Sequence, residues 1–168
     1  LLMSLTGVLA QWTERRWVHI TLQDSGRSVI PGADDLDLSH TLGNLICRRH
    51  FVLKCEETQN PGEALQGIQE QLRRIPNRGF GYSLLRYCSG DTDVAEKLAS
   101  LIGQDQNLFF LNYLGQVDDS MNKAPGSFLP AQESTGARNH PKNKPSGLRC
   151  DVIVNGGRLI TQWIYSEK

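Results

Sequence analysis

Apolar residues at Leu1, Leu2, Leu5, Val8, Leu9 and Trp12 recur at the spacing of one helix face, which predicts an amphipathic helix whose stripe must pack against another element. From Trp17 to Leu22 the pattern changes to alternation. Val18, Ile20 and Leu22 fall on one side and Trp17, His19 and Thr21 on the other, which is the period of a strand. The polar stretch from Gln23 to Asp37, with Pro31-Gly32 inside it, predicts a loop, and Leu42 to Leu53 predicts the next strand. Asn60-Pro61-Gly62-Glu63 then supplies a capping residue, a proline at the first helical position and a glutamate able to reach back. A helix should run from there to about Arg74, with Ala64, Leu65, Ile68 and Leu72 as its buried stripe. Pro76 ends it, Asn77 to Gly81 reads as a glycine-rich turn, and a further helix is expected from Thr92 to Ile102 with Gly103 as its cap.

Leu108 to Leu114 is a short, nearly continuous apolar run. Its length and two phenylalanines favour a buried strand, although periodicity alone does not separate that from a helix. Between Gln116 and Gly147 lie four of the seven prolines among many Gly, Ser, Asn and Lys residues, so a long excursion is expected there. Asn155-Gly156, set between Cys150–Val154 and Arg158–Tyr165, is the strongest hairpin signal. This order of elements predicts an α+β domain, a mixed sheet with helices packed on one face. No internal repeat is present.

Composition narrows the class. The 168 residues are 39% hydrophobic and 21% charged, which suits one globular unit. Eighteen basic residues balance eighteen acidic ones, so no long-range field would draw in nucleic acid or an anionic membrane. No apolar run approaches the roughly 20 residues needed to span a bilayer, and no basic region precedes a cleavage site. A cytoplasmic protein is expected. Cys47, Cys55, Cys88 and Cys150 lack metal-ligand spacing and read as reduced structural thiols, and no metal site is expected. Leu1 opens inside a helical pattern with no capping residue before it, which reads as part of something longer.

Candidate chemistry is sparse. Ser25, between Asp24 and Gly26, has no GxSxG elbow around it and no identifiable histidine partner. Gly79-Phe80-Gly81 begins like a dinucleotide fingerprint, but Leu84 holds the third position and the turn follows a helix rather than a strand. His19, His40, His50 and His140 fit no ligand spacing. The pairs Arg15-Arg16, Arg48-Arg49 and Arg73-Arg74 read most simply as solvated element ends, each able to contact a phosphate. Residue chemistry alone describes an α+β domain without a self-contained catalytic set.

A resemblance adds a function. LNYLGQ, Leu111 to Gln116, resembles the FNYLG signature of the epimerization members of the nonribosomal peptide synthetase condensation superfamily. Pro76 to Tyr82 resembles the same family's PxxGxGYG turn, and Asp37 to Ile46 resembles its RTVGWFT motif with Asn44 in place of tryptophan. LQDSGR, Leu22 to Arg27, stands where the family has EGHGRE, and Val154 to Ser166 resembles its DGRLxLxWxYS hairpin. The resemblance implies one of two chloramphenicol-acetyltransferase-like lobes, set in a V around a tunnel. Carrier-protein 4′-phosphopantetheine arms enter that tunnel from opposite sides, and no cofactor is bound directly. Residues 1–168 would be the C-terminal lobe, since they contain no HHxxxDG.

The implied partners are the N-terminal lobe, an aminoacyl or peptidyl carrier protein and neighbouring adenylation or condensation domains. The implied reaction is epimerization, L to D, at the α carbon of a tethered thioester during antibiotic biosynthesis. A peptide-bond-forming condensation lobe and a catalytically silent carrier-binding module are the alternatives. The family glutamate falls on Gln23, whose carboxamide cannot exchange a proton near neutral pH. Asp24, Arg27, Asn44, Asn112 and Tyr113 are the implied tunnel-lining residues. These residues alone are not expected to turn over substrate, and Asp24 should face away from Gln23 because successive strand residues alternate.

Overall fold

A computed structural model describes residues 1–27, 36–56, 58, 60–103, 109–116 and 147–165. The elements are α1 (Leu2–Thr13), β1 (Trp17–Asp24), β2 (Cys47–Lys54), α2 (Pro61–Arg74), a 3₁₀ turn (Pro76–Gly79), α3 (Gly81–Cys88), α4 (Thr92–Gly103), β3 (Phe109–Gln116), β4 (Leu148–Asn155) and β5 (Arg158–Ile164). The strands form one mixed sheet in the order β2-β1-β3-β4-β5. Its two outer pairs are antiparallel, and β1, β3 and β4 run parallel through the centre.

The alternation read in β1 is the alternation that the fold uses. Val18 and Ile20 meet Leu53 and Phe51 of β2, Phe109 and Leu111 of β3, and Cys150 and Val152 of β4 on one face, beneath Leu9 of α1 and Ile68 of α2. Ile20, Leu53 and Val152 are fully buried, each stabilising the fold by about 1.5–3 kcal/mol relative to exposure. Helices α3 and α4 sit along the β2 edge instead. Tyr82 reaches His50 on the opposite face with ring centroids 4.5 Å apart, and its hydroxyl donates to the Leu98 carbonyl of α4 at 3.2 Å.

Helix α2 starts as its sequence requires. Asn60 Oδ1 accepts from the Gly62 N–H at 2.9 Å, with Pro61 at the first position. Glu63 reaches back to side chains rather than to a backbone N–H, accepting from Thr58 Oγ1 at 2.7 Å and Asn60 Nδ2 at 3.3 Å. Of the expected stripe, Ile68 is buried while Ala64 and Leu72 are half-buried. Leu65 is 45% exposed because it turns toward an open groove instead of the sheet.

Other departures have local causes. Strand β1 continues through Gln23 and Asp24, which pair with Arg48 and Cys47. The strand expected from Leu42 begins only at Cys47, because the backbone before it bonds to a side chain described below and Leu42 is 99% exposed. The 3₁₀ turn leads straight into α3, which is too short at eight residues for periodicity to stand out from the turn expected around it. Gly103 closes α4 from inside its last turn. At the hairpin, Asn155 pairs with Arg158, so the two turn residues are Gly156 and Gly157 at φ 58° and 69° rather than Asn155 and Gly156. A two-residue hairpin turn with both φ positive is open to two glycines, which have no Cβ to clash in that region.

The excursion expected between Gln116 and Gly147 lies outside the described residues, apart from its two ends. All four cysteines are free thiols, Cys150 buried in the core and Cys88 exposed. Among the described residues no helix is long and apolar enough to cross a membrane, and no group of three or more His, Cys, Asp or Glu side chains is placed to hold a metal ion.

Candidate functional site

Of the implied site residues, Gln23 and Asp24 end β1, and Asn112 and Tyr113 lie midway along β3, where the parallel pairing of the two strands stops. Register sets who meets whom. Gln23 is opposite Arg48 of β2 and Asn112 of β3, Asn112 is opposite Asp151 of β4, and Asp151 is opposite Gln162 of β5. Paired residues point to one face, so Arg48, Gln23, Asn112, Asp151 and Gln162 form a polar row across all five strands, on the side away from the main core. Asn112 and Asp151 are buried at 7% and 9% exposure. Asp151 is held by Arg149, whose Nε donates to Oδ1 at 2.9 Å. Gln23 and Asn112 thus set two carboxamides side by side, able to donate and accept hydrogen bonds but not to carry a proton away, with the Arg149-bound Asp151 carboxylate next in the row.

Asp24 points to the other face. Its carboxylate is ion-paired with Arg49, both side chains being about a fifth exposed, and Arg49 also donates to the Arg78 carbonyl at 3.2 Å. That pair borders an open groove of about 960 Å³ with Leu2, Leu22, Leu72, Leu111 and Leu114 among its apolar walls. Gln23 and Tyr113 also border this groove, and β3 carries a register shift between Tyr113 and Gln116 that turns this end of the strand. Asp24 and Gln23 thus face opposite ways, and the ion pair ties Asp24 to the packing beneath the groove.

Arg27 and Asn44 do not converge on Gln23. Arg27 donates to the carbonyls of Leu38 at 2.8 Å, Thr41 at 2.8 Å and Gly43 at 3.2 Å, holding the loop that would otherwise have extended β2. Asn44 Oδ1 accepts from the Ile46 N–H at 3.2 Å, a local turn. Gly26, just before the clamp, is buried at φ 67°, and a Cβ there would lie 1.6 Å from the Leu45 carbonyl oxygen. The Gly-Arg pair is thus a structural staple that holds the corner beside Gln23. Within this chain, then, Arg27 and Asn44 bond to the loop before β2 rather than to Gln23 or Asn112. Asp151 and Gln162 were not singled out from sequence, and Arg48 only as part of a basic pair; a charged residue inside the apolar run Cys150–Val154 was the available signal for Asp151.

Beside the row, His50 Nδ1 lies 3.0 Å from Thr21 Oγ1. Burial, then His19, Arg86 and Arg48, push its pKa down to about 4 from an ordinary 6.5. Below about pH 6.5 the unfolded chain takes up a proton that the folded one refuses, so stability should fall from there toward about pH 4 and be unaffected by this group above it. Urea midpoints of the wild type and His50→Gln at neutral pH and near the lower limit check this. The variant should lose less on acidification, and equal losses would remove His50 as the cause.

No family model matches the chain. Over 99% of its length the chain is 37% identical to part of a linear gramicidin synthase protein of Brevibacillus parabrevis, and over 90% it is 30% identical to part of bacitracin synthase 3 of Bacillus licheniformis. It spans only 2% of either relative. Its fold superposes on the epimerization domain from the third module of tyrocidine synthetase B with a TM-score of 0.73 and 24% identity, covering 98% of this chain and 35% of that one. The chain is thus similar in sequence to short segments of nonribosomal peptide synthetases and in fold to an epimerization domain. A structure described as the molecular basis for condensation domain-mediated chain release from the enacyloxin polyketide synthase also matches, with a TM-score of 0.58 and 14% identity over 99% of this chain and 31% of that one. The five-stranded mixed sheet thus has the chloramphenicol-acetyltransferase-like fold that its motifs implied.

Proposed function

We propose that this lobe is the C-terminal wall of an epimerization-type domain acting on carrier-tethered aminoacyl or peptidyl thioesters. The supporting observation is the pairing of Gln23 with Asn112 where the parallel β1–β3 ladder ends, which sets two carboxamides side by side on one face of the sheet. Removing the α proton of a thioester moves negative charge onto its carbonyl oxygen, and carboxamide N–H groups aimed at that oxygen stabilise the charge as it develops. Neither amide takes the proton. Asp151, the carboxylate beside Asn112, is tied to Arg149, so the base that accepts the proton and the acid that returns one to the opposite face of the α carbon would come from the facing N-terminal lobe or from water. The 4′-phosphopantetheine arm of a carrier protein would present the substrate, and adenylation and condensation domains would be its neighbours in the cytoplasm.

Gln23 itself favours a second reading. A domain that forms peptide bonds needs no proton-transfer group at this position, so condensation is supported as well as epimerization. Deuterium wash-in at the α carbon separates them when the intact domain, both lobes present, is given donor and acceptor aminoacyl carrier proteins in D₂O. Wash-in without peptide supports epimerization, and peptide without wash-in replaces it with condensation. Neither product, with carrier binding intact, would leave the silent module.

A further inference from the structure

On the face away from the main core, at the β2 edge, a second cavity of about 590 Å³ is walled by Thr21, Arg48, His50, Tyr82, Arg86 and Phe110. Two arginines line it from different elements, Arg48 from β2 and Arg86 from α3. Aromatic rings hold both in place. Arg86 lies 5.0 Å from the Tyr87 ring centroid and donates to the Tyr82 hydroxyl at 2.8 Å, and Arg48 lies 5.3 Å from the Phe110 centroid. Arg149, on the same Phe110 ring at 4.9 Å, is matched by Asp151. Among the described residues Arg48 and Arg86 have no such match. No carboxylate walls the cavity, and neither arginine forms an ion pair among the described residues.

Fixed positive charges sharing a partly enclosed space without counter-charge raise each other's energy, and an anion between them relieves it. The depressed His50 is consistent with that unmatched field, since both arginines contribute to it. Stacking on rings removes rotamer freedom before any ligand arrives while leaving guanidinium N–H groups to donate. A monoanion would offset one charge of the two. A phosphate dianion offsets both, and its oxygens suit the donor fork of a guanidinium.

We propose that the cavity between Arg48 and Arg86 binds a phosphate dianion, either inorganic phosphate or a phosphate monoester. This inference does not rest on the epimerization reading, and it differs from recognition of a carrier arm, whose phosphodiester carries a single charge.

The test titrates the intact chain with inorganic phosphate and with glycerol phosphate at about pH 7.5, where the second phosphate proton is largely lost, with ionic strength held constant. Dimethyl phosphate and acetate serve as monoanion controls. Arginine Nε–Hε and His50 ring resonances report occupancy without any turnover, so this result and the wash-in result fail independently. Saturable shifts with the two dianions are expected, weakened by roughly tenfold or more in Arg48→Gln and Arg86→Gln, as loss of a charged hydrogen bond requires. Arg86→Gln could disturb the stacked tyrosines of α3, whereas Arg48 is exposed and its replacement leaves that packing in place. Tighter binding of the ester identifies a monoester ligand, and equal binding identifies recognition of the phosphate alone. Absence of saturation, monoanions binding as tightly, or unchanged affinity in Arg48→Gln would each overturn the proposal.

Discussion

Gln23→Glu in the intact domain is expected to raise α-proton exchange on a tethered aminoacyl thioester by roughly 10²-fold, the lower end of what a positioned acid or base contributes. The carboxylate would arise in the polar row, between Arg48 and Asn112. Facing side chains on neighbouring strands lie about 5 Å apart at Cβ, so Arg48 keeps the new group ionised and ready to accept a proton. The same pairing lowers its basicity, which is why the larger accelerations in that range are not expected. Mass spectrometry of the released amino acid after brief exposure in D₂O measures the change. Asp24→Glu is the control on the other face, where Arg49 occupies the carboxylate, and it should leave exchange unchanged. Equal wash-in for the wild type and Gln23→Glu would mean that position 23 does not touch the reacting carbon.

Gly26→Ala should destabilise the fold by roughly 2–5 kcal/mol. About 1–2 kcal/mol comes from placing alanine in the left-handed region, and about 1–3 from overpacking. The overlap cannot be relieved by a side-chain rotation, because the atom that a Cβ would strike, 1.6 Å away, is the Leu45 carbonyl oxygen. The corner must open, and with it the hydrogen bonds from Arg27 to Leu38, Thr41 and Gly43. A lower urea midpoint with unchanged slope, together with faster proteolysis between Leu36 and Ile46, is the expected signature. Arg27→Gln should reproduce the proteolysis with a smaller shift in midpoint, since the clamp is exposed. An unshifted midpoint in Gly26→Ala would show that the corner is not rigid.

The two substitutions mark the boundary of what the residues disclosed. Alternation in β1, the cap of α2 and the apolar run of β3 were legible because each is a local signal with one physical solution, and the structure has those elements where they were read. Helix α3 was not, since one short helix between a 3₁₀ turn and Gly90 resembles the turn itself. Gln23 and Asn112 came from motif resemblance, but their adjacency is a property of parallel register, which depends on residues far apart in sequence. Arg27 and Asn44 were attached to the site by the same resemblance. Only the fold shows Arg27 bonded to three loop carbonyls, which makes the Gly-Arg pair a matter of shape at this corner. Arg48 was visible only as one of several arginine pairs, because nothing local tells a stacked, unmatched guanidinium from a solvated one.

The parallel centre of the sheet also governs the order in which the chain can assemble. Strand β1 pairs at once with β2 on one side, but its other neighbour, β3, is encoded only after α2, α3 and α4. During synthesis the inner edge of β1 therefore remains unpaired while three helices emerge, with Ile20 and Leu22 next to open backbone donors and acceptors. Contacts this distant in sequence give a high contact order and slow folding, on the scale of milliseconds to seconds or longer. A polypeptide interrupted before Phe109 would present that edge permanently, and intermolecular strand pairing, rather than loss of an active group, would be its first defect.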